Sequence, residues 1–407
     1  MSGLALDLRG AQVLLPEGLT RRCLSLSDGV IRADPVGRPV DLDGFLVLPG
    51  IVDPHGDGFE RHLAPRRGAM KQVTEGVIAA EAELAANGIT TAVLAQFYSW
   101  EGGLRGPEFA AQVFAAIRDV RADLVTEVIP QLRFETHMLP DYAALPARIA
   151  EWGVPYVVFN DHLPHDRLAA GKRPPRLTGQ ALKAGRNPER HLEMLQALHA
   201  AGDQVPAALD RLTARLARAG VRMGSHDDAT PEMRAAWRRR GVRIAEFPET
   251  LAAAEAARAG GDRVILGAPN VVRGGSHKGN ASAIDLIAMG LCDALASDYH
   301  YPSPRRAALM LAQSGVCDLA VAWGLVSAGP ARMLGLRDRG MLVAGQRADL
   351  VILHERTHRV AATLSGGRIS HMNGDIAARF LGQRDGQGGA GARRLGLGEP
   401  SAPRARP

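Results

Sequence analysis

The sequence predicts an α/β fold: a (β/α)8 TIM-like barrel joined to a small β-sandwich built from both chain ends. Three observations carry this. Between Val47 and about Ala331, eight short apolar runs alternate with Ala-, Leu- and Arg-rich helical stretches, the pattern of βα units closing into a barrel. The runs are nearly continuous in apolar residues, as strands buried on both faces must be. Both chain ends instead alternate apolar residues with Gly, Asp and Pro, as in LSLSDGVIRADP and VILHERTHRVAATLS, which signals short strands and hairpins. The expected division is 1–48 and 332–380 for the small β domain, 49–331 for the barrel and 381–407 for a disordered tail.

The eight runs, in order, are VLPGIVDPH, GITTAVLAQ, VIPQLRFE, PYVVFNDH, VRMGSHDD, VRIAEF, RVILGAPN and CDALASD. Their ends should line the barrel mouth, where such folds place their chemistry. The end residues are His55, Asp57, Gln96, Glu135, Asp161, His162, His226, Asp227, Asp228, Glu246, Asn270 and Asp298. This is a concentration of metal-ligand types at one face. His55 and Asp57 stand two residues apart and so project to the same side of a strand. His162 and His226 end separate runs and add the imidazoles that Zn2+, Fe2+ or Mn2+ accept. Glu135 is placed to bridge two ions from the barrel centre, and Asp298 to take a proton from an activated water. Each residue alone reads equally well as structural; their coincidence at strand ends points to a site for one or two divalent ions.

Composition excludes other classes. The chain has 407 residues, 46% apolar and 23% charged, as in ordinary globular proteins. No apolar stretch approaches the length of a membrane span, and MSGLALDLRG has no signal-peptide pattern, so a cytoplasmic location is expected. Cys23, Cys292 and Cys317 are too scattered for a disulfide framework and are expected to be buried. Net charge is +6, but the Gly-, Pro- and Arg-rich tail from Gly382 holds five Arg against one Asp and one Glu, half of that excess. Aromatic residues are only 4%, and no basic patch interleaves with them, so nucleic acid is not an expected partner.

Two basic segments bear on the substrate. In GAPNVVRGGSHKGN, residues 267–280, three glycines stand beside Arg273, His277 and Lys278, a composition suited to phosphate oxygens or to an ordinary surface turn. Residues 164–191 carry seven Lys or Arg against Asp166 and Glu189. That segment reads either as a lid over an anionic substrate or as a solvated helical insertion. Together the two segments favour a phosphorylated substrate over a neutral amide.

Several motifs run in order along nearly the whole chain: LPGIVDPHGDGFERHLAPR, NGITTA, RFETH, NDH, SHDDAT, IAEFPET, GAPNVVRGGSHKGN and ASDYHYPS. They resemble the PhnM family of phosphonate catabolism, within the amidohydrolase superfamily; SHDDAT and GAPNVVRGGSH are specific, whereas HxD and ADLVIL mark only the superfamily. The resemblance implies hydrolysis of α-D-ribose 1-methylphosphonate 5-triphosphate, or a close alkyl analogue, to the 5-phosphate and pyrophosphate, in the carbon–phosphorus lyase pathway. It also implies that His55, Asp57, Glu135, His162 and His226 are metal ligands, and that Asp298 is a ligand or the base acting on the attacking water. His226 and Asp298 are thus the candidate catalytic pair, and Arg66, Arg273, His277 and Lys278 the candidate substrate contacts. The chain departs from the family after the first motif, reading PRRGAMKQV where members carry PRP and an aromatic residue. The competing readings are C–N cleavage of a cyclic amide or N-acyl compound on the same fold, and a non-catalytic subunit, whose signature would be loss of His55 or Asp298. A homodimer is left open.

Overall fold

A computed structural model describes residues 4–64, 72–274 and 282–382. Arg66, His277, Lys278 and the tail beyond Gly382 lie outside the described residues.

Seven strands come from the N-terminal segment: β1 (Leu6–Arg9), β2 (Gln12–Leu15), β3 (Gly18–Arg21), β4 (Leu24–Ser27), β5 (Val30–Arg32), β6 (Arg38–Asp41) and β7 (Phe45–Pro49). The barrel follows, with β8 (Ile51–Gly56), β9 (Ile89–Tyr98), β10 (Glu127–Glu135), β11 (Tyr156–Asn160), β12 (Arg222–His226), β13 (Ile244–Glu246), β14 (Arg263–Gly267) and β15 (Ala294–Ala296). Three more strands close the chain: β16 (Leu350–His354), β17 (Val360–Ser365) and β18 (Arg368–Met372). The terminal strands form two sheets, ordered β5-β4-β1-β6 and β18-β17-β16-β7-β2-β3, with β16 antiparallel to β7. Leu8, Leu26 and Val40 of the first sheet share one buried core with Val13, Val47 and Ile352 of the second, so the two ends of the chain make a single sandwich.

One apolar run, VLPGIVDPH, is divided between two sheets at Gly50. A Cβ there would lie 2.4 Å from the Thr90 hydroxyl oxygen, so only glycine lets the strand leave the sandwich and enter the barrel. Further ties join the two units: Trp323 Nε1 donates to the Pro49 carbonyl, and Arg339 bonds Thr91 and Glu127.

All eight barrel strands are parallel and pair in sequence order. The ring closes at one bridge, Gly56 to Asp298, where Asp298 N–H donates to His55 and Asp57 N–H donates back to Asp298. Beneath it the buried Asp53 carboxylate accepts from both the backbone N–H (2.9 Å) and hydroxyl (2.5 Å) of Ser297. Burial pushes Asp53 up to about 6. Gly56 is required at this seam, since a Cβ would meet Asp53 and Ser297 at 2.9 Å. Val52, Val93, Val158, Ile244 and Ile265 fill the interior, and Ala331 and Met333 join the same cluster. The GAPN residues differ from expectation. The strand stops at Gly267, and Ala268–Arg273 is a short helix with Pro269 in its first turn, so Asn270 is not a strand-end residue.

The three cysteines are free but half-buried rather than buried. Each sits in a connection just before the next element, where packing is less complete.

Buried charge pins the loop after β12. Arg234 is fully buried, reaching Asp228 (2.7 Å), Asp262 (3.1 Å) and the Ser225 hydroxyl (2.5 Å). Arg234→Met removes the arginine partner of buried Asp228, while Asp262 keeps Arg238 and Arg243; we expect it to cost about 3 kcal/mol of stability, read as a lowered denaturant midpoint against the parent chain.

Candidate metal centre

Five of the six sequence-predicted ligands are drawn into two adjacent groups at the mouth. Ligand atoms of His55, Asp57 and Asp298 lie within 4.8 Å of one another, as do those of His162, His226 and Asp227. A third such set, His55, His226 and Glu246, overlaps both. The barrel register explains the gathering, because His226 pairs with Glu246 across adjacent strands and the closing bridge sets Asp298 beside Gly56.

Glu135, the sixth, is buried but occupied differently from the expected bridge. Its Oε1 lies 2.5 Å from His162 Nδ1 and its Oε2 accepts the His162 backbone N–H at 3.1 Å. Burial opposes its charge, yet these bonds hold it below the usual carboxylate range. These contacts orient the His162 ring.

Asp227, counted only as a strand end, joins His162 and His226, and two further residues were missed. Glu246 was counted as a strand end but not as part of the centre. Its Oε1 accepts from Tyr156 (2.6 Å) and Gln131 (3.0 Å), and its Oε2 stands 2.8 Å from His55 Nδ1. Burial disfavours a charged imidazole, but the Glu246 carboxylate outweighs it and raises His55. Nδ1 thus faces a carboxylate, which fixes the ring and leaves Nε2, buried and without a hydrogen-bond partner, for the centre. Arg133 is the other omission. Its guanidinium donates to Asp57 (3.1 Å) and to His226 Nε2 (3.0 Å), and its Cζ lies 4.0 Å from the Phe97 ring centroid. The available signal was its spacing two residues before Glu135, which puts both on the same side of β10.

The electrostatics suit a cation. Burial, and then the nearby Arg133, push His226 down to about 4, so it is a neutral ligand. Burial, and then Asp57, push Asp298 up to about 6. Carboxylates crowded in a buried place beside a ring nitrogen with no partner fit a divalent ion, which would relieve the repulsion between Asp57 and Asp298.

Backbone conformation is also unusual here. Asp227, Phe247 and Asp298, each just past a strand end, have φ of 58°, 54° and 56°. Aspartate tolerates the left-handed region, whereas phenylalanine is strained there. The Phe247 ring meets His55 and His226 edge-on, with centroids 5.3 and 5.0 Å away, and so braces both imidazoles.

Among the substrate candidates, Arg273 is exposed and hydrogen-bonds the phenol of Tyr299, next to Asp298. Of the seven cations in 164–191, Arg173 pairs with Glu189 and Arg186 donates to the Trp100 carbonyl (2.5 Å). Leu168, Leu177 and Leu195 pack with Trp100 in a satellite core. The segment is therefore a folded helical insertion whose other five cations are exposed.

Removing the carboxylate behind His55 should weaken the centre without emptying it. We expect Glu246→Gln to lower affinity for Zn2+ by roughly 10–100-fold, measured by competitive titration with a chromogenic chelator.

No protein-family model matches the chain. It is 31% identical over 367 residues to the α-D-ribose 1-methylphosphonate 5-triphosphate diphosphatase of Escherichia coli K12, covering 87% of this chain and 96% of that one. Its fold is similar to that of the β-aspartyl dipeptidase of Fervidobacterium islandicum AW-1, at TM-score 0.59 and 15% identity, over 91% of this chain and 98% of that one. It is similar also to the N-acyl-D-glutamate deacylase of Bordetella bronchiseptica, a structure holding zinc and a phosphonate inhibitor, at TM-score 0.58 and 15% identity, over 90% and 96%. Among the described residues no helix is long and apolar enough to cross a membrane. The chain is a hydrolase that belongs to the PhnM family, within the amidohydrolase superfamily.

Proposed function

We propose that the chain hydrolyses α-D-ribose 1-methylphosphonate 5-triphosphate, or a close alkyl analogue, to the 5-phosphate and pyrophosphate in phosphonate catabolism. The supporting observation is the convergence of His55, Asp57, His226 and Asp298 on one buried centre that also contains the Arg133 guanidinium. His55, Asp57 and Asp298 would hold one divalent ion, and His162, His226 and Asp227 a second. Such an ion lowers the pKa of water and offsets phosphate charge. Asp298, half-buried beside Asp57, takes the proton of the attacking water. Arg133, released from Asp57 when a cation is bound there, presents its planar fork to a phosphate oxygen. Pyrophosphate is a good leaving group, so little protonation of it is needed.

C–N cleavage would use the same ligands. A buried guanidinium among them favours an anionic substrate, because a phosphate is charged in the ground state whereas an amide becomes anionic only as it reacts.

The test follows phosphorus NMR of the triphosphate with metal-replete protein. Pyrophosphate and 5-phosphate should appear together, and Asp298→Asn should abolish them. Arg133→Gln should lower kcat/KM by about 10²–10³-fold. An intact triphosphate with metal demonstrably bound would overturn the reading and direct attention to cyclic amides.

A further inference from the structure

We infer that His137, Asp161 and His165 form a second kind of metal site, outside the barrel centre, with His199 as the group that orients His165. The side chains come from separate parts of the chain. His137 follows β10, Asp161 follows β11, His165 begins the helix His165–Ala169, and His199 lies in the last turn of the helix Pro188–Ala200. Asp161 and His165 stand four residues apart, and the fold brings His137 and His199 to them.

His165 is the hub. Its Nε2 is 3.1 Å from each Asp161 oxygen, and its Nδ1 is 2.8 Å from His199 Nδ1. His137 Nδ1 stands 3.5 Å from Asp161 Oδ1, with its ring 4.9 Å from that of His165. One ligand atom from each of His137, Asp161 and His165 falls within 4.8 Å of the others. The 3.1 and 3.5 Å separations bracket the ~3.3 Å between ligand atoms of a tetrahedral ion with bonds of about 2.0–2.1 Å. Two imidazoles and one carboxylate are also a ligand set that zinc accepts with a fourth position open. Asp161 and His165 are more than a third exposed, at 39% and 37%, so that position faces solvent.

The contact with His199 argues for metal over a simple ion pair. Two Nδ1 atoms 2.8 Å apart can share only one proton, so at least one imidazole is neutral at that nitrogen. Occupying Nδ1 of His165 in this way aims its Nε2 at Asp161, as outer partners do for metal-bound histidines.

The ion would tie the ends of β10 and β11 to the start of the basic insertion. Asp161 directly precedes His162, so the same ion would also steady the backbone that carries a residue of the barrel centre. This inference stands apart from the substrate assignment and survives if that assignment fails.

The experiment counts zinc per chain by elemental analysis, after loading the full-length protein and removing loose metal by gel filtration. His165→Ala and Asp161→Asn should each bind one equivalent fewer than the parent, while a His55→Asn, His226→Asn double variant keeps that equivalent and loses the barrel-centre metal. His199→Gln should retain the stoichiometry but hold this ion about tenfold more weakly. Circular dichroism identifies any variant that fails to fold, and the folded one of the first two is then decisive. Equal zinc in the parent and the folded variant would overturn the proposal.

Discussion

The seam between the first and last barrel strands governs the site. Asp53 holds Ser297 through backbone and hydroxyl, and one residue further along Gly56 and Asp298 make the bridge that closes the ring. These contacts set His55, Asp57 and Asp298 at one height, although more than 240 residues separate them in sequence. Without this closure the HGD triplet is a histidine and an aspartate on a strand edge. Glycine between them is a packing requirement of the seam, so the spacing of the two side chains and the tightness of the join have one cause.

Charge in this enclosed place is balanced in layers. Glu246 is fixed by Tyr156 and Gln131 and faces His55; Glu135 is taken up by His162; Arg133 spans Asp57 and His226. Each imidazole of the centre therefore has a partner that fixes its ring, and the partners are themselves buried. Fixed rings matter because metal geometry tolerates small errors only, and a ring free to rotate would spend binding energy on ordering. Phe247 adds a steric brace at the expense of a strained backbone, a pattern expected where the surrounding structure over-determines a residue.

The barrel and its ligand-bearing ends were legible in the sequence because parallel strands leave long apolar runs and the chemistry sits where each run stops. All eight runs contain a barrel strand, and His55, Asp57, His162, His226 and Asp298 come together as the run ends suggested. What escaped notice depends on side-chain direction. Arg133 lies within a strand, and its two-residue spacing from Glu135 gives its side but not its partners Asp57 and His226. Glu246 ends its strand as expected, but its contact with His55 of β8 reaches across the barrel from β13, which no strand spacing reveals. Asn270 shows the converse error, since an apolar run continued by Ala-Pro reads as strand while proline in fact opens a helix. Of the His137, Asp161, His165 and His199 cluster the sequence carries only the four-residue spacing of Asp161 and His165, because the other two join through the fold.

For the proposed phosphorylated substrate, the groups that would select an anion differ from those the sequence suggested. Basic loops drew attention in the sequence, yet exposed Lys and Arg are screened by water and salt, and two of the seven cations in the insertion serve its own packing. Arg133 is only 4% exposed, and Arg105, on the other arginine contact to Phe97 at 4.0 Å, lies nearby. A charge held where water is excluded acts more strongly on a bound phosphate than several charges in solvent. The exposed cations are suited to drawing an anion toward the mouth, a long-range effect that salt weakens. In the proposed reaction, discrimination in favour of a triphosphate would rest on the buried guanidinium, which is otherwise held by Asp57 and His226.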